Sequence, residues 1–356
     1  MRQLRLVLVP LAALLAAALA LPATADPTVI VVGPGESIQA AIDRAAPGDT
    51  VKVLPGVYRE NLEITTDALT LLGSGATKDG TVLLPPAEPA PVLCSFGDPE
   101  FVNGICVTGE FDEQFNLKDP VKGVRISGFL VKGFPAFGVW ILGGEGTKVD
   151  HNVAKDNEEY GFFANTSTGT TFTSNRAYGS EEAGFYVGDS PDADARLVGN
   201  VARGNGFGFF LRDASNGVLR KNLSTGNCIG MLFLDTYADA RNWRAVDNHV
   251  ARNNRACPPS EEAPPLSGLG IAIVGTDRVT VAKNSVLDNK PSGETFLSGG
   301  VVVISSVPFG GSDPNGNVVK ENVVLGNHPD LFWDGSGEGN VFADNVCETS
   351  VPPGLC

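Results

Sequence analysis

The sequence predicts an all-β solenoid, in which short strands form coils and the coils stack on one another. A unit of apolar strand, Asn, Gly and second apolar strand recurs five to six times between Val124 and Asn254. A second Asn often follows five residues after the first, and this spacing returns later in the chain. Such a period indicates stacked repeats, because one short coil cannot bury its apolar face alone. The spaced pairs are Asn152 and Asn157, Asn200 and Asn205, Asn222 and Asn227, Asn248 and Asn253, Asn284 and Asn289, and Asn322 and Asn327.

The first 25 residues predict a signal peptide that is cleaved after Ala25. Arg2 and Arg5 give it a positive start, residues 6–21 are an apolar run, and residues 23–25 are small. A transmembrane anchor is the alternative, but the small residues at the exit and the lack of flanking basic residues disfavour it. No later segment is apolar enough to span a bilayer, so we expect a secreted protein.

The rest of the chain, residues 26–356, predicts a single domain. Two later interruptions, 257–268 and 289–299, are rich in Pro, Gly and Ser and predict loops within that domain. We divide the domain into an N-terminal cap with irregular first coils (26–123), regular coils with loop insertions (124–346) and a C-terminal tail (347–356).

The charge balance narrows the classes of partner. The formal net charge is −15, and removal of Arg2 and Arg5 with the signal peptide lowers it to −17. A strongly acidic protein is a poor match for nucleic acid, whose affinity for proteins comes from Lys and Arg on phosphates. Cations, neutral glycans and basic proteins are still compatible with this charge. We expect the protein to be a monomer.

A short amphipathic helix is predicted to cap the solenoid. Ser37 is a suitable N-cap residue, and Ile38, Ala41, Ile42 and Ala45 share one face of the helix that follows. Solenoids need a capping element, because the end of the stacked core would otherwise be open to water.

The same opening resembles the N-terminus of the right-handed parallel β-helix, or pectin-lyase-like, superfamily. The resemblance lies in residues 36–42 (Glu-Ser-Ile-Gln-Ala-Ala-Ile), 47–51 (Pro-Gly-Asp-Thr-Val) and 56–61 (Gly-Val-Tyr-Arg-Glu-Asn), together with the Asn-turn repeats. It implies a right-handed parallel β-helix with a short N-terminal α-helix. It does not imply one activity, because this scaffold hosts many functions.

The recurring Asn and Gly are interpreted as architecture. Asn tolerates left-handed backbone, and stacked Asn side chains can bond to one another between coils. Gly is interpreted as permitting a bend or a positive φ before the next strand. The structural Asn residues are expected at Asn152, Asn175, Asn200, Asn222, Asn248, Asn284, Asn322 and Asn345.

All six Cys follow the predicted signal peptide, and an even number in an exported protein favours disulfides. Metal binding is the alternative, but no Cys-x-x-Cys spacing exists and the three His form no metal-ligand spacing with the Cys. The sequence spacing suggests three local pairs: Cys94 with Cys106, Cys228 with Cys257, and Cys347 with Cys356.

The strand after each Gly predicts a row of outward apolar side chains. Its first and third positions are apolar in every repeat, so period-two alternation places both inward and the second position outward. An exposed apolar stripe marks a binding surface, whereas a stripe covered by residues 85–122 or by the 257–268 loop would be ordinary packing. The resemblance implies that this strand face is where pectate-lyase-like enzymes hold their polysaccharide. The predicted substrate-binding residues are Trp140, Phe163, Tyr186, Phe210 and, at the neighbouring outward position, Asn165 and Arg212; Leu232 continues the stripe.

Acidic side chains flank this stripe. Asp189, Asp213 and Asp235 fall at one position on three successive coils, and Glu158 and Glu181 lie in the preceding loops. Stacked carboxylates repel unless a cation intervenes, so these five residues are candidate Ca²⁺ ligands. The alternative interpretation is that they are solvated turn residues, since Asp is a common turn former. His151, His249 and His328 share no column and are interpreted as turn or surface residues.

The chain carries no complete catalytic motif. The Gly-x-Tyr-x-Glu at 56–60 resembles the opening of pectin methylesterases, but the downstream counterparts of that family are missing, and so are the Asp-Asp and Gly-His-Gly of polygalacturonases. Lyases of this fold use an Arg or Lys base beside Ca²⁺-binding carboxylates, which makes Arg212, Asp213 and Asp235 the candidate catalytic residues. The first hypothesis is therefore an exported protein that binds or processes a polysaccharide, either as a glycan binder or as a Ca²⁺-assisted lyase on uronate chains. The second is a non-catalytic surface or accessory β-helix that docks a protein partner.

Overall fold

The computed structural model describes residues 26–96, 98, 100–237, 239–260 and 263–356. The predicted signal peptide, residues 1–25, lies outside the described residues. In the described part of the chain, no helix is long and apolar enough to cross a membrane.

The described chain winds into a parallel β-helix with three long sheets. Each coil contributes one strand to each sheet in turn, and every strand in these sheets pairs in parallel with its counterpart on the next coil. Sheet 1 contains Val29–Val32, Thr50–Val53, Thr70–Leu72, Arg125–Ser127, Lys148–Asp150, Thr171–Thr173, Ala195–Val198, Gly217–Arg220, Trp243–Val246, Thr280–Ala282, Val318–Lys320 and Val341–Ala343. Sheet 2 contains Gly56–Arg59, Thr81–Leu84, Phe129–Lys132, Val153–Lys155, Arg176–Tyr178, Val201–Arg203, Leu223–Thr225, His249–Ala251, Ser285–Leu287 and Val323–Leu325. Sheet 3 contains Leu62–Ile64, Ile105–Thr108, Val139–Leu142, Phe162–Asn165, Ala183–Ser190, Phe207–Ala214, Ile229–Leu234, Leu269–Val274, Gly299–Ile304, Leu331–Trp333 and Ser350–Val351.

The remaining elements are short. Two-residue strands Val121–Lys122 and Gly144–Glu145 pair in parallel, and Glu110–Phe111 pairs with Leu117–Asp119 in an antiparallel hairpin. Leu93–Ser95 and Val307–Phe309 are 3₁₀ turns. The segment 85–122, predicted to be an irregular insertion, therefore contains the hairpin and one of the 3₁₀ turns, but also contributes Ile105–Thr108 to sheet 3.

The predicted capping helix is confirmed as Ile38–Asp43. The Ser37 side chain accepts a hydrogen bond from the Ala40 N–H at its start, and Ile38, Ala41 and Ile42 are buried against the first coil. Ala45 packs beside them at the edge of the core. The helix thus closes one end of the stacked core.

The two inward columns of sheet 3 are confirmed by the strand register and by burial. Phe162, Phe185 and Phe209 face one another on successive coils, and their rings stack with centroids 4.9 and 5.0 Å apart. The first column is Val139, Phe162, Phe185, Phe209, Met231, Ile271 and Val301; the third-position column is Ile141, Ala164, Val187, Leu211, Phe233, Ile273 and Val303; all are at most 2% exposed.

The expected Asn residues form a continuous ladder between sheets 1 and 2. From Asn175 onward, each side-chain Oδ1 accepts the backbone N–H of the Asn on the preceding coil at 2.9–3.1 Å, while Asn152 Oδ1 accepts from the Phe129 N–H. The Nδ2 atoms donate to a carbonyl of the preceding coil. The left-handed residue of each turn is the one before the Asn, such as His151 or Lys221, rather than the Asn itself. The predicted positions and the predicted inter-coil bonding are confirmed, whereas the other predicted reason, tolerance of left-handed backbone, is wrong. The ladder runs through Asn152, Asn175, Asn200, Asn222, Asn248, Asn284, Asn322 and Asn345.

A second ladder between sheets 2 and 3 explains the recurring Gly differently from the prediction. Its Asn side chains point at a Gly at the start of the sheet 3 strand on the preceding coil, and a Cβ there would lie only 2.6–3.0 Å from an Asn Nδ2. These Gly residues have no positive φ. They are needed for close approach and not for a bend, so the predicted reason was wrong. The pairs are Gly138 with Asn157, Gly184 with Asn205, Gly208 with Asn227, Gly230 with Asn253, Gly270 with Asn289, and Gly300 with Asn327.

All three predicted disulfides are formed, and the described residues include no free Cys. Cys228 follows the Asn227 turn and Cys257 lies beyond the next rung, Asn253, so this bridge ties neighbouring coils as expected. Three formed disulfides fit a protein that folds in an oxidising compartment.

Candidate functional site

The predicted stripe exists as one column on the outer face of sheet 3. The register pairs Trp140 with Phe163, Phe163 with Tyr186, Tyr186 with Phe210 and Phe210 with Leu232. All five side chains point away from the core, yet each is at most 9% exposed. The stripe is therefore largely buried: its first half is covered, as one of the two alternatives expected, and its second half lies at the bottom of a pocket.

Aromatic side chains from the insertion and the preceding turns cover the first half of the stripe. Phe96 and Phe101 pack edge-on against Trp140, with ring centroids 5.5 and 6.0 Å away. Phe137 stacks on Phe163 at 4.6 Å, and Phe163 in turn stacks on Tyr186 at 4.2 Å. These contacts form a second hydrophobic cluster outside the coil, so this half holds the insertion on the helix.

Asn165 belongs to that covered half. Its Oδ1 accepts a hydrogen bond from the Trp140 indole N–H at 2.8 Å. The bond satisfies the one polar atom of a buried Trp. Asn165 thus supports the packing of the indole.

The second half of the stripe forms the floor of an open pocket of about 540 Å³. This volume lies in the range of ordinary ligand sites. Loops that follow Asn253, Asn289 and the end of Gly299–Ile304 form its walls. The apolar floor consists of Phe210, Leu232, Leu234, Leu269, Ala272 and Val274.

Three exposed aromatic side chains surround this pocket. Tyr237, Phe296 and Phe309 are 71%, 59% and 47% exposed, and each comes from a different loop. Phe296 and Phe309 meet edge to face with centroids 6.3 Å apart. Large aromatic rings left in water beside a pocket are typical of a binding surface.

The polar end of the pocket is built around Arg212. Its Nε donates to the Asp213 carboxylate at 3.3 Å, and the guanidinium is about one-third exposed. The nearby Tyr237 hydroxyl donates to Asp189 at 3.0 Å. In the described part of the chain, the Nη atoms of Arg212 have no hydrogen-bond partner, so they are available to a ligand.

Asp213 is an anchor for this end and not an open carboxylate. It is fully buried and accepts hydrogen bonds from the Thr236 N–H, the Thr236 hydroxyl and the Tyr237 N–H at 2.6, 2.5 and 3.2 Å. Its backbone is left-handed, as is that of Asp189. The left-handed backbone fits a bend at these two Asp residues, but Asp213 is buried and not a solvated turn residue.

Asp235 serves a different loop. It is 2% exposed, and its carboxylate accepts from the Ala240 N–H at 3.1 Å and the Ser312 hydroxyl at 2.7 Å. The expected open ladder of three carboxylates is thus wrong, because Asp213 and Asp235 are buried and accept hydrogen bonds from separate sets of protein donors. Glu158 and Glu181 are exposed in the loops before the strands, at the opposite end of sheet 3 from Asp189 and Asp213. Among the described residues, no group of three or more His, Cys, Asp and Glu side chains could hold a metal ion.

Tyr186 lies beside Arg212 and is kept protonated. Burial under the cover raises the pKa of its phenol far above the usual range, and the charge of Asp189 acts in the same direction. The Tyr186 ring lies directly over Gly188, and any larger residue there would clash, because a Cβ would lie 2.2 Å from the Tyr186 hydroxyl oxygen. A protonated phenol at this position is a hydrogen-bond donor.

The structure therefore brings together only part of the predicted site. Phe210 and Arg212 line the pocket, and Tyr186 is buried beside them without lining it, whereas Trp140, Phe163 and Asn165 lie under the cover. Sequence reasoning missed Tyr237, Phe296 and Phe309, which come from non-repeating segments. Only Phe296 had a signal in the sequence: Phe296 and Leu297 are large apolar residues in the otherwise polar 289–299 loop.

Comparison with known proteins supports this architecture. A family model described as the right-handed beta helix region matches residues 137–309, most of the regular coils. No curated protein matches the sequence.

Three solved structures share the fold at low sequence identity. The A-module of the Azotobacter vinelandii mannuronan C-5 epimerase AlgE6 is 20% identical, with a TM-score of 0.59 over 88% of this chain and 90% of its own. The A-module of AlgE4 from the same organism is 17% identical, with a TM-score of 0.58 over 86% and 89%. The catalytic unit of a GH87 α-1,3-glucanase from Streptomyces thermodiastaticus is 16% identical, with a TM-score of 0.52 over 92% and 70%. The chain therefore has the right-handed parallel β-helix fold, and residues 137–309 match the family model of that region.

Proposed function

We propose that this protein is a secreted polysaccharide-binding protein and that its binding site is the pocket on the outer face of sheet 3. The observation that carries the proposal is the set of three exposed rings, Tyr237, Phe296 and Phe309, around a pocket that also contains Arg212. Aromatic faces pack well against the apolar faces of sugar rings. Arg212 and the Asp189–Tyr237 pair supply donors and acceptors for hydroxyl groups.

Two further facts support this proposal. Structures that share the fold are named for acting on polysaccharides, namely mannuronan and α-1,3-glucan. The three disulfides fit secretion, which a protein that meets such polymers outside the cell requires.

The candidate catalytic residues favour binding over lyase chemistry. Asp213 already accepts four hydrogen bonds, and Asp235 is committed to Ala240 and Ser312. Both carboxylates are buried against protein donors, and neither is among the residues described as lining the pocket. We therefore propose a binder, and the experiment below also measures whether the protein cleaves the polysaccharide.

Affinity electrophoresis of residues 26–356 in gels that contain pectic, alginate or neutral polysaccharides tests this proposal. Tyr237→Ala and Phe296→Ala are expected to weaken binding about three- to tenfold each, because a lost aromatic contact costs about 0.5–1.5 kcal/mol. Tyr178→Ala, a half-buried Tyr on sheet 2, is the matched control and leaves retardation unchanged.

The same incubations are assayed for new reducing ends and new unsaturated ends. Retardation without new ends supports a binder. New ends that disappear in Arg212→Ala would replace the binder with an enzyme at the same pocket. No retardation by any polysaccharide would refute the carbohydrate proposal.

A further inference from the structure

The outer face of sheet 1 carries a second groove that the proposed function does not use. Two adjoining hollows of about 710 and 460 Å³ share Arg244, Val246 and Lys283. Together they extend from the strand Ala195–Val198 to the strand Val318–Lys320. This distance is four strand spacings, or about 19 Å along the axis of the β-helix. We call this the sheet 1 groove.

The sheet 1 groove is basic although the chain is acidic. Its lining contains five cations and only three carboxylates, a balance of +2, whereas the whole chain carries −15. The cations are Arg196, Arg220, Arg244, Lys283 and Lys320. A local excess of one sign in a groove concentrates counter-ions of the other sign.

Two of these cations are not paired with the protein. Arg196 and Arg244 are exposed, and in the described part of the chain neither side chain has a hydrogen bond or an ion pair. By contrast, Arg220 pairs with Asp247 at 3.2 Å, and Lys283 and Lys320 share Glu321. The free guanidinium groups are therefore available to an external anion.

The register fixes the spacing of the two free guanidinium groups. Arg196 pairs with Val218, and Val218 pairs with Arg244, so both Arg occupy one outward column two strands apart. Two strand spacings are about 10 Å. A ligand that meets both must carry repeated negative charges along the axis of the β-helix.

The floor between the cations narrows the class of ligand. It consists of small apolar side chains, among them Val218, Val246, Ala282 and Val318. None of the described residues that line the groove is aromatic. Single-stranded nucleic acids are held by aromatic stacking platforms, which the described lining of this groove lacks, so a charged polymer without bases fits it better.

We infer that the sheet 1 groove binds a linear acidic polysaccharide that lies along the axis of the β-helix. Carboxylate or sulfate groups of the polymer pair with Arg196 and Arg244, and its rings rest on the aliphatic floor. This site lies on a different sheet from the proposed pocket, so each can fail independently of the other.

Interferometry with immobilised polygalacturonate tests the inference at 50 and 300 mM NaCl, and neutral pullulan serves as the uncharged probe. The double variant Arg196→Gln/Arg244→Gln is expected to lose about tenfold in affinity at low salt, which corresponds to two exposed ion pairs at the strong end of their usual range. The difference shrinks at high salt because exposed charges are screened.

Sheet 2 offers a matched control. Arg176→Gln/Arg203→Gln removes two exposed Arg from adjacent coils of another face and should leave the affinity unchanged. Tyr237→Ala changes the pocket and should leave the affinity of the sheet 1 groove for polygalacturonate unchanged, so this variant distinguishes the two sites. The inference would be overturned if the sheet 2 control lost as much affinity for polygalacturonate as the sheet 1 variant, or if the sheet 1 variant lost none. Equal binding of polyglutamate or single-stranded DNA to the wild-type protein would also overturn it, since the groove would then be a general anion surface.

Discussion

The second Asn ladder has a gap, and filling it should stabilise the protein. Ser180 occupies the rung between Asn157 and Asn205: the Ser180 N–H donates to Asn205 Oδ1 as an Asn in the ladder would. The Ser180 side chain, however, is fully buried, and its hydroxyl has no hydrogen-bond partner among the described residues. Gly161 precedes the strand Phe162–Asn165 on the coil before Ser180, as Gly184 lies on the coil before Asn205. The space that an Asn amide uses at other rungs is therefore present at position 180.

The neighbouring rung gives the expected gain from Ser180→Asn. The Asn205 side chain makes three inter-coil hydrogen bonds: it accepts from the Ser180 N–H and donates to the Ala177 carbonyl and to Asn227 Oδ1, at 2.9, 3.3 and 3.2 Å. Each buried hydrogen bond contributes about 1 kcal/mol net, and ordering the longer side chain offsets part of this. We expect a gain of about 1–2 kcal/mol in the free energy of unfolding.

Urea unfolding followed by near-ultraviolet circular dichroism measures this change. Ser180→Ala is the control, because it removes an unpaired hydroxyl and should change the free energy of unfolding by less than about 0.5 kcal/mol. Asn205→Ser opens a second gap and should cost about 2–3 kcal/mol, since buried partners are left unsatisfied. If Ser180→Asn were no more stable than Ser180→Ala, the ladder would not be limited by hydrogen bonding at this rung, and the reasoning would be refuted.

Two further predictions concern the packing and the charges of the coils. Gly184→Ala should destabilise the fold by about 1–3 kcal/mol, because its Cβ would lie 2.8 Å from Asn205 Nδ2; Gly33→Ala, where the nearest atom is 3.5 Å away, is the control, and thermal melts of the two compare them. Burial alone would raise the pKa of Asp150, but hydrogen bonds from Arg125, His151 and Ser127 outweigh it and lower the pKa from 3.8 to about 2. Asp150→Asn should therefore lower the free energy of unfolding by about 1–2 kcal/mol at pH 7. A lowered pKa stabilises the folded state above about pH 4 and loses this effect as the pH falls towards 2, so urea titrations at both pH values should show the difference between the proteins disappear; a constant difference would contradict the assignment.

The repeated parts of the fold were predictable because each is a local rule applied once per coil. An Asn column, an apolar column and a nearby pair of Cys can be recognised without knowing how the rest of the chain runs. The physical reasons were harder to predict. The positive φ falls on His151 or Lys221 and not on the Asn, and Gly184 is needed for the Asn205 amide of the next coil. Both reasons depend on contacts between coils, which a single repeat does not contain.

The exposure of the stripe could not be predicted, because side-chain direction and solvent access are separate properties. Alternation correctly points Trp140 outward, but its accessibility is decided by Phe96 and Phe101. Those two residues belong to a segment without a period, so their position over sheet 3 follows from no pattern in the sequence. The same is true of Phe296 and Phe309, whose contact joins two loops around the pocket.

The sheet 1 groove shows the opposite case, a feature that the repeat makes visible but that a whole-chain average conceals. A net charge of −15 argues against anionic partners, because it treats all faces of the molecule as one. A solenoid separates its faces by position within the repeat, so one column can be basic while the turns carry most of the acids. Arg196, Val218 and Arg244 follow one another in such a column, and this succession could be read from aligned repeats. For stacked-coil proteins, charge is therefore best summed along each outward column, since that is the surface a linear polymer meets.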